Sequence, residues 1–172
     1  TPSAALLIES IRDIGYTVET AIADLIDNSI SASAKNIEIY LLDDSHGNPI
    51  LSIQDDGIGM SKEELKLAMR LGSKDPNIKR PKDDLGRFGL GLKTASFSQC
   101  RELTVETCKE GEMTSLTWDL DEVKKQNAWV VIENEPGELK QGTKIIWKKI
   151  DRNNIKINSV QTSDLLNEIR EH

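Results

Sequence analysis

Apolar positions recur with helical spacing at the start of the chain and later give way to alternation. From Ser3 to Asp13, Leu6, Leu7, Ile8 and Ile11 mark a short helix with Ser3 as its N-cap. Gly15 is suited to end it. Thr17 to Ala34, TVETAIADLIDNSISASA, reads as one longer helix capped by Thr17, with Val18, Ile22, Leu25, Ile26 and Ile30 directed at a core. Its polar residues are not spread evenly. Asp24 and Asn28 stand one turn apart on one face, with Asp27 between them. A solvated stripe explains this pair as well as a binding site does.

At Asn36 the period becomes two. Ile37, Ile39 and Leu41 alternate with Glu38 and Tyr40, and Ile50 to Gln54 forms a second strand beyond the turn cluster DDSHGNP, which predicts a β-hairpin. Asp55 to Met60, DDGIGM, follows directly. Ser61 and Glu64 form a capping box that opens a helix to about Arg70. Leu71 to Leu85 is long and polar, interrupted by Pro76 and Pro81, the character of a functional or mobile loop. Gly86 to Lys93, GRFGLGLK, leads into a short helix ending near Phe97. Strands are then predicted at Glu102–Thr107, Met113–Leu120, Trp129–Glu133 and Thr143–Trp147, with turns at Glu110-Gly111 and Pro136-Gly137. Trp118, Trp129 and Trp147 fall on these strands and read as core or sheet-face residues. A last helix, capped by Thr162 or Ser163, runs through Ile169. The order of helices, hairpin, helices and strands predicts an α+β fold, an α/β sandwich whose mixed, mostly antiparallel sheet carries helices on one face.

Composition narrows the function classes. A chain of 172 residues fits one domain over 1–150 and a tail over 151–172 leading to a further domain. The absence of an initiator Met fits a domain excised from a longer protein. A net charge of -7 disfavours DNA binding across the whole surface. The apolar runs are too short for a membrane span. Cys100 and Cys108 have no metal-ligand spacing, and read as reduced thiols of a cytoplasmic protein.

Three stretches carry candidate chemistry. In DDGIGM, two glycines one residue apart let backbone pass close to a neighbour, and the acid before them can accept a hydrogen bond from an amino group such as that of adenine. A tight turn gives the same letters. In GRFGLGLK, Gly86, Gly89 and Gly91 stand at a helix entry, where free N–H groups and the helix dipole favour an anion, with Lys93 adding positive charge. The loop is neither a Walker A motif nor a dinucleotide fingerprint. On the long helix, the Asn28 amide oxygen can ligate magnesium, and Asp24 can orient or deprotonate a water for attack on a phosphate. Ala32, one turn on, is small enough for a sugar or base to approach. Gly142-Thr143 opens the last strand and brings a hydroxyl within reach of the acid.

Taken in order, these pieces resemble one family. AIADLIDNS is similar to the N box of the GHKL superfamily of ATPase domains, which includes DNA gyrase B, the ninety-kilodalton heat-shock chaperone, histidine kinases and MutL. Asp55-x-Gly57-x-Gly59 resembles its first glycine box, Gly86-x-x-Gly89-x-Gly91-x-Lys93 its second, and Gly142-Thr143-Lys144 its terminal box. The resemblance implies a Bergerat fold holding ATP and Mg2+. It gives Asn28 the metal and Asp55 the adenine amino group, lines the adenine pocket with Gly59 and Met60, and has Thr143 assist Asp55. Arg87, Phe88 and Leu90, within Gly86–Lys93, would wrap the phosphates, with Lys93 near the terminal one. Residues 71–85 would form a lid, within which Ser73 and Lys74 could touch phosphate.

One position departs from the pattern. Gyrase, MutL and chaperone members carry glutamate where this chain has Asp24, one methylene shorter, so turnover is expected to be slow or silent. DLIDNS and Lys93 look most like MORC-type and MutL-type members. In those, ATP binding closes a homodimer, which points to an ATP-gated module with a DNA or protein client. An ATP sensor that hardly hydrolyses is the second reading. A histidine-kinase role is third, since His46 in a turn and His172 at the end are the only histidines.

Overall fold

The computed structural model describes residues 3–71 and 85–151, with residues 85–90 as backbone only. Five helices and six strands follow in the order α1 (Ala4–Arg12), α2 (Val18–Ser31), β1 (Ile37–Asp43), β2 (Pro49–Asp55), α3 (Lys62–Ala68), α4 (Leu85–Phe97), β3 (Cys100–Lys109), β4 (Glu112–Asp119), α5 (Leu120–Gln126), β5 (Ile132–Glu133) and β6 (Gly142–Ile150). The sequence signals explain most of the boundaries. Ser3 and Thr17 accept from Leu6 N and Thr20 N as N-caps, and Ser61 and Glu64 form the reciprocal capping box that opens α3.

The strands make one antiparallel sheet in the order β1-β2-β6-β3-β4-β5. The last of the described strands, β6, therefore lies in the middle, between β2 and β3. Cross-strand partners share a face, so the register sorts inward residues into rungs. One rung reads Leu51, Trp147, Leu103, Trp118, and the next Ile53, Ile145, Val105, Leu116. Both are buried, and they form one cluster with Ile8, Ile22, Leu25, Leu65, Leu92 and other residues of the helices. Trp147 also donates from Nε1 to Ser96 Oγ of α4 at 3.0 Å, fastening helix to sheet.

Four expectations change. Ile30 is exposed, because it falls about 100° around α2 from the stripe of Val18, Ile22, Leu25 and Ser29. Trp129 precedes β5 instead of lying on a strand; it packs edge-on to Phe97 and donates to the Met69 carbonyl at 2.8 Å. Leu120, expected to end a strand, instead opens α5, a helix over Leu120–Gln126 capped by Asp119 that the sequence reading did not include. The glycines of GRFGLGLK lie inside α4, which begins at Leu85, and not in a loop ahead of a helix. The backbone ladder of that helix outweighs the low helix propensity of three glycines. Most of the expected lid, with Ser73 and Lys74, and the expected last helix lie outside the described residues.

Candidate functional site

The third rung of the inward sheet face breaks the apolar pattern. Asp55 ends β2, Thr143 is the second residue of β6, and Thr107 and Thr114 face them on β3 and β4. All four are buried. Buried polar groups need partners, and Asp55, Thr143 and Thr107 are joined by hydrogen bonds. The Asp55 carboxylate accepts from Gly57 N at 2.9 Å and Thr143 N at 3.2 Å on Oδ1, and from the Ser29 hydroxyl at 2.7 Å on Oδ2. Thr107 Oγ1 accepts from Met60 N at 2.8 Å and lies 3.0 Å from Thr143 Oγ1. The glycines permit this closeness. Gly59 and Gly142 have φ of 73° and 94°, and a Cβ on either would collide with backbone, that of Cys108 for Gly59 and that of Asp55 for Gly142.

The flank of α2 forms a second wall. Asp24, Asn28 and Ala32 line up one turn apart along it, and α2 packs against α4. A Cβ on Gly91 of α4 would stand 3.6 Å from Asn28 Nδ2. That amide nitrogen is buried and without a hydrogen-bond partner among the described residues, an unsatisfied group of the kind found where a ligand completes the bonding. Tyr16 lies beside Asp24: burial first, then the charge and hydrogen bonding of that carboxylate, push its phenol above the usual 10.0. Lys93 donates from Nζ to the Arg70 carbonyl just past α3, and burial holds its ammonium below the usual 10.5. Among the described residues no group of three or more His, Cys, Asp or Glu side chains is placed to hold a metal ion alone.

A polar rung under a helix that presents an acid and an orphaned amide suits a nucleotide, and comparison with known proteins agrees. Residues 16–162 match the family described as histidine kinase-, DNA gyrase B-, and HSP90-like ATPase. The chain belongs to this ATPase family. It is 37% identical over 97 residues to ATPase morc-1 of Caenorhabditis elegans, which covers 56% of this chain and 11% of that protein. It is 33% identical over 100 residues to human ATPase MORC2, covering 56% of this chain and 9% of the relative. It is 29% identical over 103 residues to the DNA mismatch repair protein MutL of Buchnera aphidicola, covering 59% and 17%. The ATPase domain thus spans less than a fifth of the length of each of these relatives.

Within the ATPase domain the site residues expected from sequence divide into three groups. Asp55, Gly57, Gly59, Met60 and Thr143 come together on the polar rung, and Asp24, Asn28 and Gly91 gather on the α2–α4 side. For Gly86, Arg87, Phe88, Gly89 and Leu90 only the helical backbone of α4 is described. Three roles differ from expectation. Thr143 reaches Asp55 through its backbone N–H, while its hydroxyl pairs with Thr107. Ala32 is buried and its small side chain admits Gly57, whose Cβ would stand 2.6 Å from the Ala32 carbonyl oxygen; Ile58 N donates to that same oxygen at 2.9 Å. Lys93 points to the end of α3. Ser29 and Thr107 were not anticipated. Each left a signal, a hydroxyl residue in an otherwise apolar inward series: Leu25 then Ser29 on α2, Leu103 and Val105 then Thr107 on β3.

Proposed function

We propose that this domain binds Mg-ATP with the base on the polar rung and the phosphates toward the α2–α4 wall, and that it hydrolyses ATP slowly. The observation that carries the reading is the Asp55 carboxylate, buried yet held by donors, on a buried polar rung beside two apolar ones. Its remaining acceptor capacity suits an exocyclic amino group. Asn28 would hold the magnesium. Such a small hard cation takes one or two protein oxygens and completes its shell with phosphate and water. Bound there, it would neutralise phosphate charge. Asp24, one turn before, would orient or deprotonate the attacking water, and Lys93 would turn to the terminal phosphate. Residues 71–85 would cover the nucleotide. In a longer protein, ATP binding would pair two copies, and the client would be DNA or protein.

An ATP sensor with little turnover is the second reading, favoured by the shorter acid at position 24. One experiment addresses both: calorimetric titration of Mg-ATP, with steady-state phosphate release, on the wild type and on Asn28→Ala, Asp55→Ala and Asp24→Asn. Asp55→Ala is expected to weaken ATP at least tenfold, and Asn28→Ala to abolish the magnesium dependence of binding. Full affinity in both variants would refute the site. Equal phosphate release from wild type and Asp24→Asn would remove Asp24 as the base and leave the sensor.

A further inference from the structure

We infer that Ser29 is a specificity-determining positioning residue: its hydroxyl orients Asp55 to select a nucleotide base with a 6-amino group over one with a 6-oxo group. The inference rests on the reading of Asp55 as the base acceptor. Ser29 is buried in the centre of the inward stripe of α2, and its only hydroxyl proton is committed to Asp55 Oδ2 at 2.7 Å. An ionised carboxylate offers about four acceptor positions. Two on Oδ1 are taken by Gly57 N and Thr143 N, and one on Oδ2 by Ser29. Among the described residues this leaves one position, on Oδ2, and the groups bonded to the carboxylate are all donors.

A base reaching that position must bring a donor. A 6-amino purine does; a 6-oxo purine turns an acceptor toward an acceptor-only group and is repelled. Ser29 holds Oδ2 from the helix side and leaves its other acceptor direction for the base edge. It also ties the helix bearing Asn28 to the strand bearing Asp55, since Asn28 and Ser29 are neighbours in sequence. Without the hydroxyl, Oδ1 stays anchored but Oδ2 loses the one donor it has among the described residues, and the preference between the two bases falls.

The test compares ATP with ITP, which differ at the 6-position, by calorimetric titration of wild type, Ser29→Ala, Ser29→Thr and Asp55→Ala in the presence of magnesium. Ser29→Ala is expected to bind ATP about tenfold more weakly, the scale of one hydrogen bond to a charged group, while ITP affinity stays within twofold. The ATP/ITP ratio then falls about tenfold. Unchanged ITP binding also reports that the fold and the phosphate contacts persist. Ser29→Thr, which keeps a hydroxyl, is expected to retain most of the wild-type ratio. An equal loss for both nucleotides in Ser29→Ala, an unchanged ratio, or a ratio in Ser29→Thr as low as in Ser29→Ala overturns the inference. The outcome for Asp55→Ala separates the two claims. If Asp55→Ala keeps full ATP affinity, the reading of the site fails; if it loses affinity while Ser29→Ala keeps the wild-type ratio, only the role of Ser29 fails.

Discussion

Asp55 and Asp56 are adjacent in sequence and have opposite surroundings. Asp55 faces inward onto the polar rung. Asp56, one residue on and therefore on the other side of the extended chain, is exposed and clasps the turn between α2 and β1. Its carboxylate accepts from Lys35 N at 2.7 Å, Asn36 N at 2.9 Å and Asn36 Nδ2 at 2.8 Å. The Asn36 bonds are the main cause, with Lys35 adding to them, that lowers its pKa from 3.8 to about 2. The folded value lies below the unfolded one, so these bonds contribute stability in full above about pH 4. That contribution is lost as pH falls through about 2. An Asp56→Ala variant is expected to lose less stability than the wild type on acidification across this window. Carboxyl NMR titration would read the shift directly, and a midpoint near 4 for Asp56 would contradict it.

Among the elements, α1 shows what sequence patterns convey and what they omit. Its existence, its Ser3 cap and its apolar stripe follow from local spacing alone, as do the β1–β2 hairpin and the capping box of α3. Its attachment does not, because the partners lie far along the chain. Arg12, in its last turn, donates from Nη1 to the Phe97 and Cys100 carbonyls at 3.1 and 3.0 Å, and from Nη2 to Asp151 at 2.6 Å. It thereby satisfies the C-terminal end of α4, where carbonyls lack helical partners, and holds the exit of β6 beside it. The same distinction runs through the site. Asp55, Gly57 and Gly59 were legible because they stand at alternate positions of one short stretch, whereas the bonds of Ser29 and Thr107 span 26 and 47 residues. Trp129 was misplaced for a related reason: its aromatic character fits a strand, but the acceptor that fixes it is the Met69 carbonyl, 60 residues away. Replacing Arg12 by Ala removes three bonds to a largely sheltered charge and is expected to cost about 2 kcal/mol. Arg12→Lys should recover only part of this, since an ammonium cannot span all three acceptors in the geometry of the guanidinium fork. Urea unfolding midpoints at constant m-value would measure both; a wild-type midpoint for Arg12→Ala would show that the attachment contributes nothing net.

Across the whole molecule, the register of the sheet divides stability from recognition. Two inward rungs are apolar and close on the helices; the third carries Asp55, Thr143, Thr107 and Thr114. The two kinds of rung sit on the same strands, four residues apart on β3, so substitutions on one strand can test the division. Leu103, fully buried between Trp118 and Trp147 in the register, would leave a cavity as alanine, at a cost of about 3 kcal/mol. Its side chain lies two rungs from Asp55, so the molecules that remain folded should keep wild-type ATP affinity. Thr107→Val preserves shape while removing the hydroxyl. It orphans the buried Met60 N–H and takes the partner from Thr143 Oγ1, which is expected to cost about 1–3 kcal/mol. Its larger effect should be on nucleotide binding, because Met60 and Thr143 flank Asp55 on the proposed base site. The pair should therefore invert: Leu103→Ala low in unfolding midpoint with intact affinity, Thr107→Val closer to wild type in midpoint with ATP weakened several-fold. Calorimetric titration well below the unfolding temperature, beside urea melts of the same samples, reads both axes. If the two variants lose affinity in proportion to stability, the sheet face acts as one unit and the polar rung is no more than a satisfied part of the core.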